Sequence, residues 1–105
     1  MENEQKSQNA ENDVVDIEEY AREGKEVPEG KRYGIRIDKD KYVVTHATIT
    51  GKEILALAGK TPETHNLYQH SRGGQSKVVG AEETVNLTEK GVERFTTMKR
   101  ANTEG

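Results

Sequence analysis

The chain has 105 residues, of which 30% are hydrophobic and 33% charged, and its net charge is −3. This length allows one domain at most, and the lack of cysteine excludes a disulfide framework, a cysteine zinc site and a thiol nucleophile. Because no run of 18 apolar residues and no signal-peptide pattern occurs, we expect a cytoplasmic protein without a membrane partner.

Charge is distributed unevenly along the chain. Residues 1–30 carry ten acidic and three basic side chains, a net of −7, whereas residues 31–105 carry a net of +4. The first thirty residues are rich in Glu, Asn and Gln, a composition that buries too little apolar surface to offset the entropy of ordering. We therefore predict a disordered acidic arm over residues 1–30. The remaining 70 or so residues can bury only about 60% of their unfolded surface, which argues against an enzyme with a dedicated pocket.

The first regular structure after the arm is a predicted β-hairpin. Tyr33, Ile35 and Ile37 alternate with polar residues and glycine, the period of two that marks a half-buried strand. Residues 38–41 are all charged, a composition that favours a turn, and the segment from Tyr42 to Ile49 is rich in β-branched residues. The sequence therefore predicts two antiparallel strands over residues 33–49.

A short helix follows the hairpin. Thr50 and Glu53 have the spacing of a capping box, and Gly59 occupies the position of a left-handed C-terminal cap. A helix of two turns is unstable in water by itself, so its apolar residues must pack on a sheet. We predict one helix that crosses the sheet between these signals.

Three further strands are predicted in the second half of the chain. Two short runs, Leu67–His70 and Ser76–Val79, flank a Gly-Gly pair and read as a second hairpin. A short strand at Val85–Leu87 then precedes a tight turn. The last strand, Val92–Met98, contains the single phenylalanine of the chain, Phe95, which we expect to anchor the core.

The order of elements is strand, strand, helix, strand, strand, strand. This is the ββαββ order of an α+β protein with the β-grasp fold, which has a mixed sheet and one crossing helix. Other small α+β folds share the spacing. We place the domain at residues 31–100 and a flexible C-terminal tail at residues 101–105.

Five short pieces of sequence stand out between residues 33 and 98: Ile37-Asp38, Thr50 to Leu55, Leu57 to Lys60, Val85 to Leu87 and Gly91 to Phe95. They resemble the bacterial multiubiquitin-type family of ubiquitin-like domains. The last piece is the most specific. The resemblance implies a modifier that is joined to lysines of target proteins and is encoded beside an activating-enzyme-like protein, a conjugating-enzyme-like protein and a JAB-type metalloprotease, in operons of defence against phage.

The chain departs from the pattern of that family in two ways. It has one domain instead of tandem copies, and it ends in Glu104-Gly105 instead of the Gly-Gly of eukaryotic ubiquitin. Gly105 is nevertheless the candidate conjugation terminus, because a glycine carboxylate can be adenylated, passed to a thiol and delivered to an amine without hindrance from a side chain. The alternative is a non-conjugated β-grasp protein-binding module whose terminal glycine is incidental.

A candidate partner-binding surface follows from the alternation of side chains along the first and last strands of the sequence. If Phe95 points into the core, its neighbours in the last strand point to the open face of the sheet. The arginines of the first strand share that face if the first and last strands lie side by side. The predicted partner-binding residues are Arg32, Arg36, Arg94, Met98 and Arg100. Such a basic face with a methionine contact suits acidic loops of a partner, although an ordinary solvated sheet face has the same composition.

Other motifs give no support for catalysis, metals or nucleic acid. His46, His65 and His70 lack the spacing of a metal site, so we expect no metal and no cofactor. The Arg72-Gly73-Gly74 sequence lies inside a hairpin, where glycine serves the turn, and an acidic protein binds polyanions poorly. The serines lack a partnered base, so the chain is not expected to be an enzyme.

One segment of the acidic arm permits three interpretations. Asp13 to Glu19 resembles a SUMO-interacting motif, in which an extended apolar segment followed by acids adds a strand to a ubiquitin-like sheet. The segment could also form an amphipathic helix capped by Asp13, with Val14, Ile17 and Ala21 on one side. The third interpretation is an inert solubilising tail.

Overall fold

The structure is a computed structural model that describes residues 14–30 and 32–101. Eight strands and two helices form within these residues. In chain order they are β1 (Val14–Asp16), α1 (Ile17–Arg22), β2 (Arg32–Ile37), β3 (Asp40–Val44), β4 (Thr48–Thr50), α2 (Gly51–Leu57), β5 (His65–Ser71), β6 (Gln75–Val79), β7 (Thr84–Asn86) and β8 (Val92–Lys99). The predicted α+β class is confirmed.

Six of the strands form one mixed sheet. Five of them follow the order β3–β2–β8–β5–β6, and the sixth, β1, lies beside β2. β3 is antiparallel to β2, and β5 is antiparallel to both β6 and β8. β2 and β8 are parallel, and β1 pairs with β2 in parallel as well. β4 and β7 form a separate two-stranded antiparallel sheet. This arrangement is the predicted β-grasp, with α2 as the crossing helix.

The core lies between α2 and the sheet. Phe95 of β8 is completely buried, as predicted, together with Ile35 of β2 and Ile54 of α2. The alternation of β2 directs Tyr33, Ile35 and Ile37 to this side, since all three are buried. The opposite face of β2 therefore carries Arg32, Gly34 and Arg36.

The start of α2 is fixed by two sets of hydrogen bonds. Thr50 Oγ1 accepts from Glu53 N at 3.2 Å, and Glu53 Oε1 accepts from Thr50 N at 2.9 Å, so the predicted capping box is confirmed. The N–H groups of Gly51 and Lys52 donate to carbonyl oxygens in the loop after β6, each at 3.0 Å. Gly59 has φ of +76°, the left-handed conformation predicted for it.

The predicted second strand of the first hairpin is divided in the structure. β3 ends at Val44, residues 45–47 form a bend, and β4 begins at Thr48. The chain leaves the main sheet here because α2 has to begin directly after Thr50 and cross that sheet. β4 satisfies its backbone groups with β7 instead, and Leu87 N donates to Ala47 O at 2.7 Å.

The predicted disordered arm is wrong for residues 14–22. β1 and α1 form there, and Ile17 and Ala21 of α1 are completely buried. The composition of the segment gave the wrong prediction because it shows only that the segment cannot form a core by itself. Its few apolar side chains are buried in the core of the domain instead. The ordered domain therefore begins before residue 31. Residues 1–13 and 102–105, with Gly105 among them, lie outside the described residues.

Asp16 lies where the added strand and the amphipathic helix, the first two interpretations of the segment, meet. It ends β1, and its carboxylate accepts from Glu18 N at 3.2 Å as the N-cap of α1. The segment is thus an added strand, as in the first interpretation, and then an amphipathic helix, as in the second. Asp16 is the cap, where the sequence predicted Asp13.

Candidate partner-binding surface

Two of the predicted partner-binding residues lie together on β8. Phe95 faces the core, so Arg94, Thr96 and Met98 of the same strand face the open side of the sheet. Met98 is 61% exposed, a high value for a large apolar side chain. This part of the predicted surface is built by one regular strand.

The neighbouring strands add apolar side chains to Met98. Tyr68 of β5 lies opposite Thr96 of β8 and opposite Val78 of β6, so these side chains share the open face. Val78 is 60% exposed. We call Tyr68, Val78, Thr96 and Met98 the open-face patch. Sequence reasoning missed Tyr68 and Val78, although the alternation with the buried Leu67 and Val79 beside them would have shown which face they occupy.

The polar border of this patch is formed by His70 and Arg94, which lie opposite each other on β5 and β8. A hydrogen bond of 2.8 Å joins His70 Nε2 to Thr96 Oγ1. Burial and the charge of Arg94 lower the pKa of His70 below its ordinary value, despite the opposing effect of Glu93. His70 is therefore neutral at pH 7, and Arg94 supplies the charge at this border.

Arg36 is engaged inside the molecule. Its Nε and Nη2 atoms each donate to Glu18 at 3.0 Å, a bidentate pair with a carboxylate that is only 3% exposed. Arg22 Nη2 also donates to Glu18 Oε2 at 2.8 Å, and Lys41 Nζ lies 3.6 Å from Glu18 Oε1. Arg36 is thus paired with a carboxylate of α1.

Glu18 is a residue that sequence reasoning missed. Burial alone would raise the pKa of its carboxyl, but the hydrogen bonds from Arg36 and the charges of Arg36, Arg22 and Lys41 outweigh burial and lower the pKa. The carboxylate is therefore ionised at neutral pH. The only sequence signal was the spacing of four between Glu18 and Arg22, which is also common on solvated helices.

The five predicted residues are only partly brought together. β2 and β8 meet at the single register pair Ile37 and Phe95, and α1 contacts both strands where they diverge. Arg32 and Arg36 thus lie on the α1 side of the sheet. Met98 and Arg94 lie on the β8 and β5 side.

Arg100 marks the point where the chain leaves the sheet. Its N–H donates to Thr64 O at 2.8 Å, and its Nε donates to Asn66 Oδ1 at 3.1 Å. Ala101, the next residue, is exposed. Because Asn66 lies opposite Met98 in the sheet, this exit point adjoins the open-face patch.

In the part of the chain that is described, no three His, Asp or Glu side chains are grouped so that they could hold a metal ion. Neither α1 nor α2 is long and apolar enough to cross a membrane.

Comparison with known proteins identifies the family. The family model described as Multiubiquitin matches residues 33–100, which run from β2 through β8 and include the exit at Arg100. No curated protein and no solved structure matches the chain significantly. The family match spans well over half of the 105 residues. The chain therefore belongs to the multiubiquitin family and is a ubiquitin-like protein.

Proposed function

We propose that this protein is a modifier that is activated at a C-terminal glycine, here Gly105, and conjugated to lysines of target proteins. The observation that carries the proposal is membership in the multiubiquitin family, in a β-grasp whose last strand leads the chain out of the sheet at Arg100. The alternative, a β-grasp module that binds partners without conjugation, shares this fold. The two proposals differ in whether the C-terminal carboxylate is activated and conjugated.

The proposed chemistry takes place on partner enzymes. An activating-enzyme-like partner joins the glycine carboxylate to AMP and releases pyrophosphate from ATP. A partner cysteine thiol then displaces AMP to give a thioester, and a lysine amine displaces the thiol to give an isopeptide bond. The modifier supplies no catalytic group; it presents a tail and a recognition surface.

The reach of the tail is counted from Arg100, because its backbone is bound to Thr64. Residues 101–105 span at most about 17 Å when fully extended. An activating enzyme must therefore bring its adenylation site within this distance of the exit point. The open-face patch adjoins that point and is suited to hold the modifier in place while its tail reacts.

Recognition at the patch combines apolar contact with positive charge. Tyr68, Val78 and Met98 provide apolar surface, while Arg94 and Arg100 carry charge beside it. A partner with an apolar anchor and acidic flanking residues complements this surface. Family resemblance extends the proposal to a conjugating-enzyme-like partner and a JAB-type metalloprotease, in the cytoplasm of a bacterium and in defence against phage.

The terminus is tested with the cognate activating enzyme and ATP. Wild-type protein should give an adduct that a thiol reagent removes, whereas Gly105→Val and a Gly105 deletion should not, although both melt like the wild type. Asn102→Ala is the matched control and should retain the adduct. Undiminished adduct formation by the Gly105 deletion would favour the non-conjugated module, and mass spectrometry of protein from its own cells would identify the mature terminus.

The recognition surface is tested separately. Met98→Glu should slow adduct formation at limiting enzyme without changing the melting temperature, since Met98 is exposed. Val43→Glu, at another exposed apolar position on β3, is the control and should react like the wild type. Equal rates for both variants would remove the open-face patch from the proposal.

A further inference from the structure

The sheet contains an opening that is filled by the N-terminal segment of the same chain. β3 occupies one edge of β2, so β1 and β8 must share the other edge. β1 pairs with β2 from Arg32 to Gly34, whereas β8 pairs only at Ile37. We call residues 14–22, which form β1 and α1, the wedge, and the space between β2 and β8 the slot.

The slot binds the wedge through its backbone and its shape. β1 and β2 form a parallel ladder in which Val14, Val15 and Asp16 lie beside Arg32, Tyr33 and Gly34. A Cβ atom on Gly34 would lie 3.3 Å from Val14 Cγ1, so the absence of a side chain there gives β1 room. Ile17 follows and is completely buried.

Charged groups of the slot complete the recognition. Arg36 holds Glu18 in a bidentate pair, and Lys41 Nζ lies 2.6 Å from Asp16 Oδ2. Arg22 of the wedge in turn lies 3.4 Å from Glu93 of β8. The slot therefore recognises a definite ligand chemistry: a short apolar strand whose following residues are acidic.

The connection between wedge and slot is long and irregular. Residues 25–30 form neither helix nor strand, and apart from Val27 they are exposed. Gly24 has φ of +70°, and nine residues separate Arg22 from Arg32. Nine extended residues span about 30 Å, enough to reach a neighbouring molecule. The wedge also lies outside residues 33–100, which the family model matches.

We propose that the slot is a peptide-binding site which a second copy of this chain fills with its own wedge, so that two chains associate by exchanging residues 14–22. The contacts of the wedge with the slot can form between two chains, so exchange costs the advantage of being linked to the slot and, where the connection extends fully, the burial of Val27. Monomers should dominate at low concentration. Dimers should form when chains are concentrated or held together.

The first test uses a charge-swapped pair. Glu18→Arg places a cation against Arg36, and Arg36→Glu places a carboxylate against Glu18, so each variant repels its own wedge. When the two are refolded together, exchange restores opposite charges in both slots, and native mass spectrometry should show a heterodimer. The double variant Glu18→Arg/Arg36→Glu should be monomeric, because its own wedge fits its own slot.

Controls separate exchange from general association. A mixture of Glu63→Arg with Arg36→Glu carries the same total charge, since Glu63 is an exposed residue after α2. Its Arg36→Glu slot faces Glu18 both before and after exchange, so exchange relieves no repulsion. This mixture should give no heterodimer. A charge-swapped mixture that stays monomeric while the double variant folds would overturn the proposal.

A second test leaves the pair between Glu18 and Arg36 intact, which covers the case in which a charge variant fails to fold. The chain has no cysteine. Val14→Cys and Arg32→Cys, at register partners of β1 and β2, are introduced in separate chains and mixed under oxidising conditions. Exchange predicts a disulfide-linked heterodimer whose yield rises with concentration and exceeds that of a Val14→Cys and Lys77→Cys control pair. Equal yields for the two pairs would overturn the proposal.

Discussion

Lys60 Nζ lies 3.1 Å from Asp38 Oδ2 and 2.8 Å from Thr97 Oγ1, which places one cation between the turn after β2 and the end of β8. The two oxygens of Asp38 accept from Thr97 N at 2.9 Å and from Thr97 Oγ1 at 2.7 Å. Asp38 and Lys60 belong to two of the sequence pieces that resemble the family. The contact between Asp38 and Lys60 shows that these two pieces of sequence hold the C-terminal part of β8 in place, just before the chain leaves the sheet.

Asp38 is expected to make the protein sensitive to acid. Burial raises the pKa of its carboxyl, but the hydrogen bonds from Thr97 and the charge of Lys60 outweigh burial and lower the pKa. A lowered folded-state pKa contributes stability above the ordinary carboxyl range and loses it as pH falls through the folded pKa. Asp38→Asn should cost about 1 kcal/mol at pH 7 and less near pH 3, measured by urea unfolding at both values.

Asparagine is the appropriate replacement because Asp38 has φ of +57°, a conformation that asparagine also adopts. Asp40→Asn, at an exposed position of β3, is the control and should change stability little at either pH. Equal losses for Asp38→Asn at pH 7 and pH 3 would show that the ionised form of Asp38 is not what stabilises the fold.

Thr50→Ala should cost about 1 kcal/mol in the free energy of unfolding, because it removes the hydroxyl that accepts from Glu53 N. Thr48→Ala, on the exposed side of β4, makes no such cap and should cost less. Chemical denaturation of both variants measures the difference. If the two losses are the same, the capping box does not contribute to α2.

Gly51→Ala should cost about 1–3 kcal/mol, because a Cβ atom at this position meets the carbonyl oxygen of Gly80. Gly51 N also donates to Glu83 O, so the helix start and the loop after β6 are held against each other and cannot easily move apart. Lys52→Ala, the next residue and exposed, serves as the control. An alanine at 51 without loss of stability would contradict this close approach.

Ile17→Ala should cost about 2–5 kcal/mol, the usual range for removing a buried isoleucine side chain. Val43→Ala, which shortens an exposed apolar side chain, should cost far less. Thermal melts of both proteins provide the measurement. A melting temperature of Ile17→Ala equal to that of Val43→Ala would mean that the wedge does not share the core of the domain.

Local patterns in the sequence predicted the parts of the fold that depend on neighbouring residues. The capping box of Thr50 and Glu53 involves residues three positions apart, so its spacing is visible in the sequence. The alternation of β2 likewise shows which of its residues are buried. The ββαββ order then follows from these elements in succession.

Local patterns offered a strand and a helix as alternatives for the wedge, but they could not show that the wedge packs into the core. Its stability comes from partners that are distant in sequence, such as Arg36 for Glu18 and Glu93 for Arg22. The composition of residues 14–22 resembles that of a solvated acidic segment, because the basic groups that neutralise it belong to β2 and β3. For the same reason, the sequence did not show that α1 separates the arginines of β2 from Arg94 of β8.

The ion pair between Arg22 and Glu93 joins residues 71 positions apart. During synthesis, residues 14–22 leave the ribosome before the other described elements, and β8, which separates β2 from β5 in the sheet, leaves after them. Ile17 and Ala21 therefore have no finished core to enter until β8 has emerged, and a nascent chain exposes them until then. Burial of the wedge thus coincides with completion of β8.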